Sequence, residues 1–333
     1  MNTNSFDIKI TVSVSIPIIG DKSIALLSPP NGFSFRETLL EEYIYRDKIT
    51  DKQGRILSEY RGAVFGDNQE RIIYMESNFS SIVKHDKPAN SIGFLNGCDF
   101  NRLIEPLHEQ VEAKVFQFFS LLHLFKEGEI ARKHSFYSYR TEVGICKFNQ
   151  DIDSDIADII TYIRYPMIIY PQEVGDANDL LYCHEQAYQF LKTIVIDELE
   201  YTYHTLDDAT NYKNMMTPLE VMFLKNEHGD KKIMLAKRIA TLLGNNNTEM
   251  KQIYDNVINH YVDRSEAIHE GTTTQITRTA LDELRNLVRA CTKEYIRNIE
   301  NELLTNNNCT FRSIKNTLIT QLKTTIQKKQ NIW

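Results

Sequence analysis

The chain has 333 residues and a formal charge of −7, with 42% hydrophobic and 25% charged residues. That length and balance allow two domains with packed cores and exclude global disorder. The acidic balance excludes broad coating of DNA, which needs a basic surface, but leaves room for a local basic site.

The five cysteines, Cys98, Cys146, Cys183, Cys291 and Cys309, are scattered and form no C-x-x-C pair. This points away from a disulfide framework and from a zinc site, and toward a reducing compartment. The first residues lack a basic start followed by an apolar run, and no 18 uncharged apolar residues follow one another. A cytoplasmic protein without a membrane span is expected.

Taken in order, Asp7 to Pro17 alternates apolar and polar residues. Ile8, Ile10, Val12, Val14 and Ile16 share one face, which predicts a half-buried strand closed by proline. Ile44-Tyr45, Ala63-Val64-Phe65 and Arg71 to Met75 predict shorter strands. Turn signals separate them at Pro29-Pro30-Asn31-Gly32, Lys52-Gln53-Gly54 and Gly66-Asp67-Asn68. From Pro106 to Phe125 the apolar positions Val111, Val115, Phe118, Phe119, Leu122 and Phe125 fall at helical spacing. Ser135 to Tyr139 and Met167 to Tyr170 read as strands, and Asp153 to Arg164 as a short helix.

Beyond residue 178 only helices are expected. The first spans Asp179 to Tyr203. The second begins at Thr217-Pro218, with Thr217 as cap. The third runs from Lys231 to Leu243 and stops at Gly244. The fourth is Thr248 to Ile268 and the fifth Thr274 to Leu303. A last helix carries Ile314, Leu318, Leu322 and Ile326. The fold class is therefore α+β, a mainly antiparallel β region over 1–150 followed by a helical bundle over 151–333.

Chemistry concentrates in Tyr261 to Gly271, where Arg264 and His269 stand five positions apart. A guanidinium grips phosphate oxygens and an imidazole moves a proton near neutral pH. On a regular helix the two side chains point about 140° apart. They converge only if the helix end bends or a second copy of the chain supplies the facing surface. By spacing alone, a capped helix end with a surface ion pair accounts for the pair better than catalysis does.

Arg278, Arg285, Arg289, Lys293 and Arg297 recur along the fifth helix, either as a phosphate track or as a solvated face paired with Asp282, Glu283 and Glu294. His123 reads as a partly buried helix residue. His184, His204, His228 and His260 show no ligand spacing, so no metal and no cofactor are expected.

The block Tyr261-x-x-Arg264-Ser265-x-x-x-His269-x-Gly271 is preceded by Leu219-Glu220-x-x-Phe223 and by Leu235-Ala236-x-Arg238-Ile239-Ala240-x-Leu242-Leu243-Gly244. Together they resemble the ApeA-like branch of the HEPN superfamily over roughly residues 178–305. The resemblance implies an all-helical HEPN-like bundle and a metal-independent endoribonuclease whose arginine and histidine meet at a homodimer interface. It implies a toxin or antiphage-defence effector acting on RNA. Arg264 would hold the scissile phosphate, His269 would act as base or acid, and Ser265 would be auxiliary. Arg278, Arg285 and Arg289 would be candidate RNA contacts. The region 1–150 would then be a sensor for a phage or host trigger. The alternative is a non-catalytic module that binds RNA or a nucleotide. Gly271 stands where antitoxin-modified members of the superfamily carry a tyrosine, and Glu266 and Glu270 flank the histidine.

Overall fold

A computed structural model describes residues 6–66, 69–85, 97–143, 146–155, 165–204, 207–225, 229–269, 276–306, 308–329 and 332. The fold is α+β, with an antiparallel sheet in the N-terminal part and helices in the C-terminal part. The chain divides into two compact units, one of Met1–Phe119 and Gly128–Leu181, the other of Ser120–Glu127 and Tyr182–Trp333. The boundary expected at 150 falls inside a strand, so the division lies later, and eight residues of the N-terminal half belong to the second unit.

The first unit contains strands β1 (Phe6–Pro17), β2 (Ser34–Leu39), β3 (Val64–Phe65), β4 (Arg71–His85), β5 (His134–Val143) and β6 (Cys146–Asp155). Their order is β2-β4-β1-β5-β6, and β3 also pairs with β4. The alternation in β1 works as expected: Ile8, Ile10, Val12, Val14 and Ile16 are buried, while Asp7, Lys9 and Ser13 are exposed. Opposite β1 lie Tyr137 and Tyr139 of β5, both fully buried.

Helix α2 (Gly97–Phe125) covers that face in the first unit. Its His108 bonds the Tyr139 hydroxyl at 2.7 Å, and its Phe118 packs edge-on against Phe35. The helix begins nine residues before the expected start at Pro106. Proline removes the donor to the Arg102 carbonyl, and Arg102 and Pro106 are both exposed, so the loss falls on the solvent side of the helix. The other face of the sheet holds Ile19, Tyr43, Ile49, Tyr60, Ile72 and Phe136 in one cluster.

Two strand expectations in this unit fail. Around Ile44-Tyr45 the amides make local turns, Tyr43 to Leu40 and Arg46 to Tyr43, and a single turn α1 (Arg46–Ile49) follows. Met167 to Tyr170 makes only a bridge to Glu129, because the Ile169 amide donates to the Ser23 hydroxyl at 2.8 Å instead of to a strand. Of the short helix expected over Asp153 to Arg164, Asp153 to Asp155 belong to β6 and 156–164 lie outside the described residues. Helix α3 (Val174–Leu181) closes the unit.

The second unit contains α4 (Glu185–Leu191), α5 (Asp197–His204), α6 (Asp208–Phe223), α7 (Lys231–Leu243), α8 (Asn247–His269), α9 (Arg278–Thr305) and α10 (Phe311–Lys328). The helix expected over Asp179 to Tyr203 is broken at Tyr182 to His184 and again by a π-helical turn over Lys192–Ile196. The first break is fixed by tertiary contact. The His184 amide donates to Glu300 at 2.9 Å, and its ring accepts from the Gln186 amide as an N-cap.

Helix α6 starts ten residues before Thr217-Pro218, because Asp207 caps it through the amides of Ala209 and Thr210. Its last carbonyls, which no helical amide reaches, are taken by three side chains. Lys315 donates to Val221, Tyr295 to Met222 at 3.0 Å and the buried Arg238 to Phe223 at 2.5 Å.

Helix α7 has the expected bounds. Asp230 caps its start, and at Gly244 an added Cβ would sit 2.6 Å from Met250, so only glycine fits where the chain turns into α8. Among the described residues no helix is long and apolar enough to cross a membrane.

Candidate active site

Arg264 and His269 both lie on α8, which continues as a helix through His269. The bend that would bring the two together within one chain is therefore absent. Five residues of straight helix put their Cα atoms about 9 Å apart and their directions about 140° apart. The side chain of His269 lies outside the described residues.

Arg264 belongs to the inward seam of α8. Val257, His260 and Ala267, at helical spacing around it, are buried. Its Nε donates to the Lys213 carbonyl at 3.1 Å and its Nη1 to Glu220 at 3.2 Å, both on α6. Glu220 also accepts from the Tyr261 hydroxyl. Burial, and then the Glu220 charge, hold the Tyr261 phenol above its usual range, with Arg264 opposing. One carboxylate thus pins both Tyr261 and Arg264, and a phosphate reaching the guanidinium would compete with it.

Ser265 is exposed and lines a cleft of about 390 Å³ with Tyr261, Glu266, Asp230, Lys231 and Lys232. It is next to Arg264 in the chain and points about 100° around the helix from it.

The expected arginine track is not one continuous surface: Arg278 and Arg297 are exposed, and Arg297 pairs with Glu294 as a solvated face would, but the arginines between them are buried. Arg278, at the first position of α9, pairs with Asp208 at 3.0 Å and Asp282 at 3.3 Å. Arg285 and Arg289 are buried, with 0% and 2% of their surface exposed. Arg285 donates to the Thr202 hydroxyl at 2.9 Å, the Thr202 carbonyl at 2.5 Å and Asp282 at 3.0 Å, and its guanidinium lies 4.6 Å over the Tyr203 ring. Arg289 donates to the His123 carbonyl at 2.7 Å and to the Tyr203 hydroxyl, and pairs with Glu127 at 2.6 Å. A guanidinium with no exposed surface does not meet RNA phosphate, so Arg285 and Arg289 are structural. His123 is buried rather than partly exposed, bonded to Glu200 at 2.6 Å and stacked on Tyr203.

The residue that sequence reading missed is His260, one turn before Arg264. It is buried, and its Nδ1 meets the Tyr212 hydroxyl at 2.7 Å. Its Nε2 has no hydrogen-bond partner among the described residues. The four-residue step to Arg264 was visible in the sequence, but a ligand-spacing criterion does not register it. Burial lowers the His260 pKa below its ordinary 6.5, and the charges of Glu283 and Asp263 only partly offset this.

The sign follows directly. Below about pH 6.5 the unfolded chain binds a proton that the folded chain does not, so stability falls with pH until the lowered pKa is passed and then levels off. The melting temperature is expected to drop between pH 7 and pH 5. His260→Gln, which does not titrate, should flatten that drop. Superimposable profiles for the two proteins would count against this assignment.

Among the described residues no three His, Cys, Asp or Glu side chains gather as a metal site. What the α6–α8 face offers is a braced arginine, a tyrosine with a raised pKa and bordering clefts rich in lysine. Comparison with protein-family models, curated proteins and solved structures finds no match to the chain.

Proposed function

We propose that the chain is a metal-independent endoribonuclease of HEPN type that acts as a toxin or antiphage-defence effector. The reading rests on the resemblance of the Tyr261 to Gly271 block and its two upstream blocks. The observation that carries it is the unbroken helix through His269, on which Arg264 and His269 do not converge within one chain. On such a helix one chain presents half of a site, and a two-fold dimer completes it with two arginines and two histidines.

The chemistry is internal transfer at phosphorus. A base takes the 2′-hydroxyl proton, the 2′-oxygen attacks phosphorus, and the bond to the 5′-oxygen breaks as an acid protonates it. A histidine serves as base or acid because its pKa lies near the working pH. Arg264 stabilises charge building on the phosphoryl oxygens. The first unit serves as the sensor that binds a phage or host trigger.

A second reading is a non-catalytic module binding RNA or a nucleotide. It is favoured by the engagement of Arg264 with Glu220 and Lys213, which gives the arginine a purely structural use.

Incubation of the purified chain with single-stranded RNA in EDTA separates the two. Cleavage to 2′,3′-cyclic phosphate and 5′-hydroxyl ends, by a species that light scattering shows to be a dimer, is the expected result. Intact RNA in the presence of bound protein favours the module, and cleavage by a strict monomer removes the composite site.

A further inference from the structure

A second cleft, of about 820 Å³, also has Tyr261 in its lining. Its walls come from the end of α6, the start of α7 and the first turns of α10. Four cations line it: Lys225, Lys231, Arg312 and Lys315. Among the described lining residues they face one carboxylate, Glu220, which is already paired with Arg264. Four positive charges against one negative, in a chain of net charge −7, is a local reversal of sign.

The placement of these cations runs against helix stability. Lys231 is the first residue of α7 and Arg312 the second of α10, and neither first turn holds an acid. Positive side chains there oppose the helix dipole, which favours anions at an N-terminus. Lys315 has a structural use, donating to the Val221 carbonyl. Lys231 and Arg312 are exposed, and neither makes an ion pair with another described residue. Tyr261, which lines both clefts, joins this one to the Arg264 motif.

We propose that the cleft formed by Lys225, Lys231, Arg312 and Lys315 binds the phosphodiester backbone of single-stranded RNA and leads it past Tyr261 to Arg264. The proposal rests on the ribonuclease reading for its substrate and on the cleft for its residues. The volume is that of a small-ligand site, which holds part of one strand and not a duplex. An aromatic ring beside a cationic groove is the pairing that non-specific single-strand binders use, the ring for bases and the cations for phosphates.

The test is fluorescence anisotropy with a labelled twelve-nucleotide RNA bearing 2′-O-methyl groups, which cannot attack phosphorus. The wild-type chain should bind it with a log–log salt slope of about −2.8, from about 0.7 for each of four contacts. Lys225→Glu with Arg312→Glu should weaken binding at least tenfold and reduce the slope by about 1.4. Lys251→Glu with Arg297→Glu makes the same change in net charge elsewhere on α8 and α9 and should leave the slope unchanged. If the glutamate pair disturbs the far-ultraviolet circular dichroism, Lys225→Gln with Arg312→Gln gives the same reading with smaller losses. Equal losses in groove and control variants, or no binding by the wild type, overturn the proposal. Groove-dependent binding without cleavage of ordinary RNA in EDTA leaves the cleft standing and removes the ribonuclease.

Discussion

His269→Ala is expected to lower the rate of RNA cleavage by about 10²–10⁴-fold, the usual worth of a general acid or base. The thermal midpoint should hardly move, because His269 is the last residue of α8, where helices fray. Arg264→Ala is expected to remove cleavage as well, but it is a poorer test. That substitution also frees Glu220 and the Lys213 carbonyl, so it loosens α8 from α6 and mixes stability with chemistry. Arg264→Lys keeps one charge on Glu220 and loses the planar fork that a phosphate needs. A fall in rate with an unchanged melting curve for Arg264→Lys is the outcome a purely structural arginine does not produce. Single-turnover cleavage of a labelled RNA at matched protein concentration measures all three. Wild-type rates in His269→Ala would end the catalytic assignment.

The second large effect is on stability. Glu127→Ala is expected to cost about 3 kcal/mol, the lower end for breaking a buried ion pair. The lower end applies because the Glu127 side chain keeps 32% of its surface in water, while its partners Arg289 and Arg285 keep 3% and 0%. The cost comes from the arginines, which stay charged and buried after their counter-charge is gone. Arg285 retains Asp282 and the Thr202 oxygens, so Arg289 carries most of the loss. Urea unfolding followed by circular dichroism measures it, and a loss under about 1 kcal/mol would show that the network is not an interdependent unit.

These two residues mark the limits of sequence reading well. Arginines at four-residue steps have the same pattern whether a helix face meets water, RNA or a buried carboxylate. The partners that decide it, Glu127, Tyr203 and the His123 carbonyl, lie 86 to 166 residues away along the chain.

Elements were legible where the deciding signals were local. The period of β1 and the Gly244 stop of α7 act over a few residues; α7 has the bounds expected, and β1 begins one residue earlier than expected, at Phe6. The break between α3 and α4 was not legible, because Glu300 on α9 holds the His184 amide that a continuous helix would use. Pro218 misled for a related reason. Proline is favoured at a helix start, yet here its ring sits buried inside the helix, and Asp207 eleven residues earlier supplies the true cap. At the candidate site, the sequence showed Arg264 and His269 but not that Glu220 and Lys213 clamp the arginine. It did not show Lys225, Lys231, Arg312 and Lys315 as one group either, since they come from the end of α6, the start of α7 and α10, far apart along the chain.

The interleaving of the two units has a consequence for the chain as it is made. Ser120 to Glu127 leave the ribosome long before α9, yet His123 and Glu127 are the partners that Arg289 needs. The second unit is therefore incomplete until almost all of its sequence has been synthesised, and its closure depends on contacts of high sequence separation, which form slowly. Neither half can be obtained by cutting once. A fragment beginning at Tyr182 keeps every helix from α4 to α10 but buries Arg285 and Arg289 without their glutamate. Eight residues lent by the N-terminal half thus belong to the helical unit and not to the unit that carries the sheet.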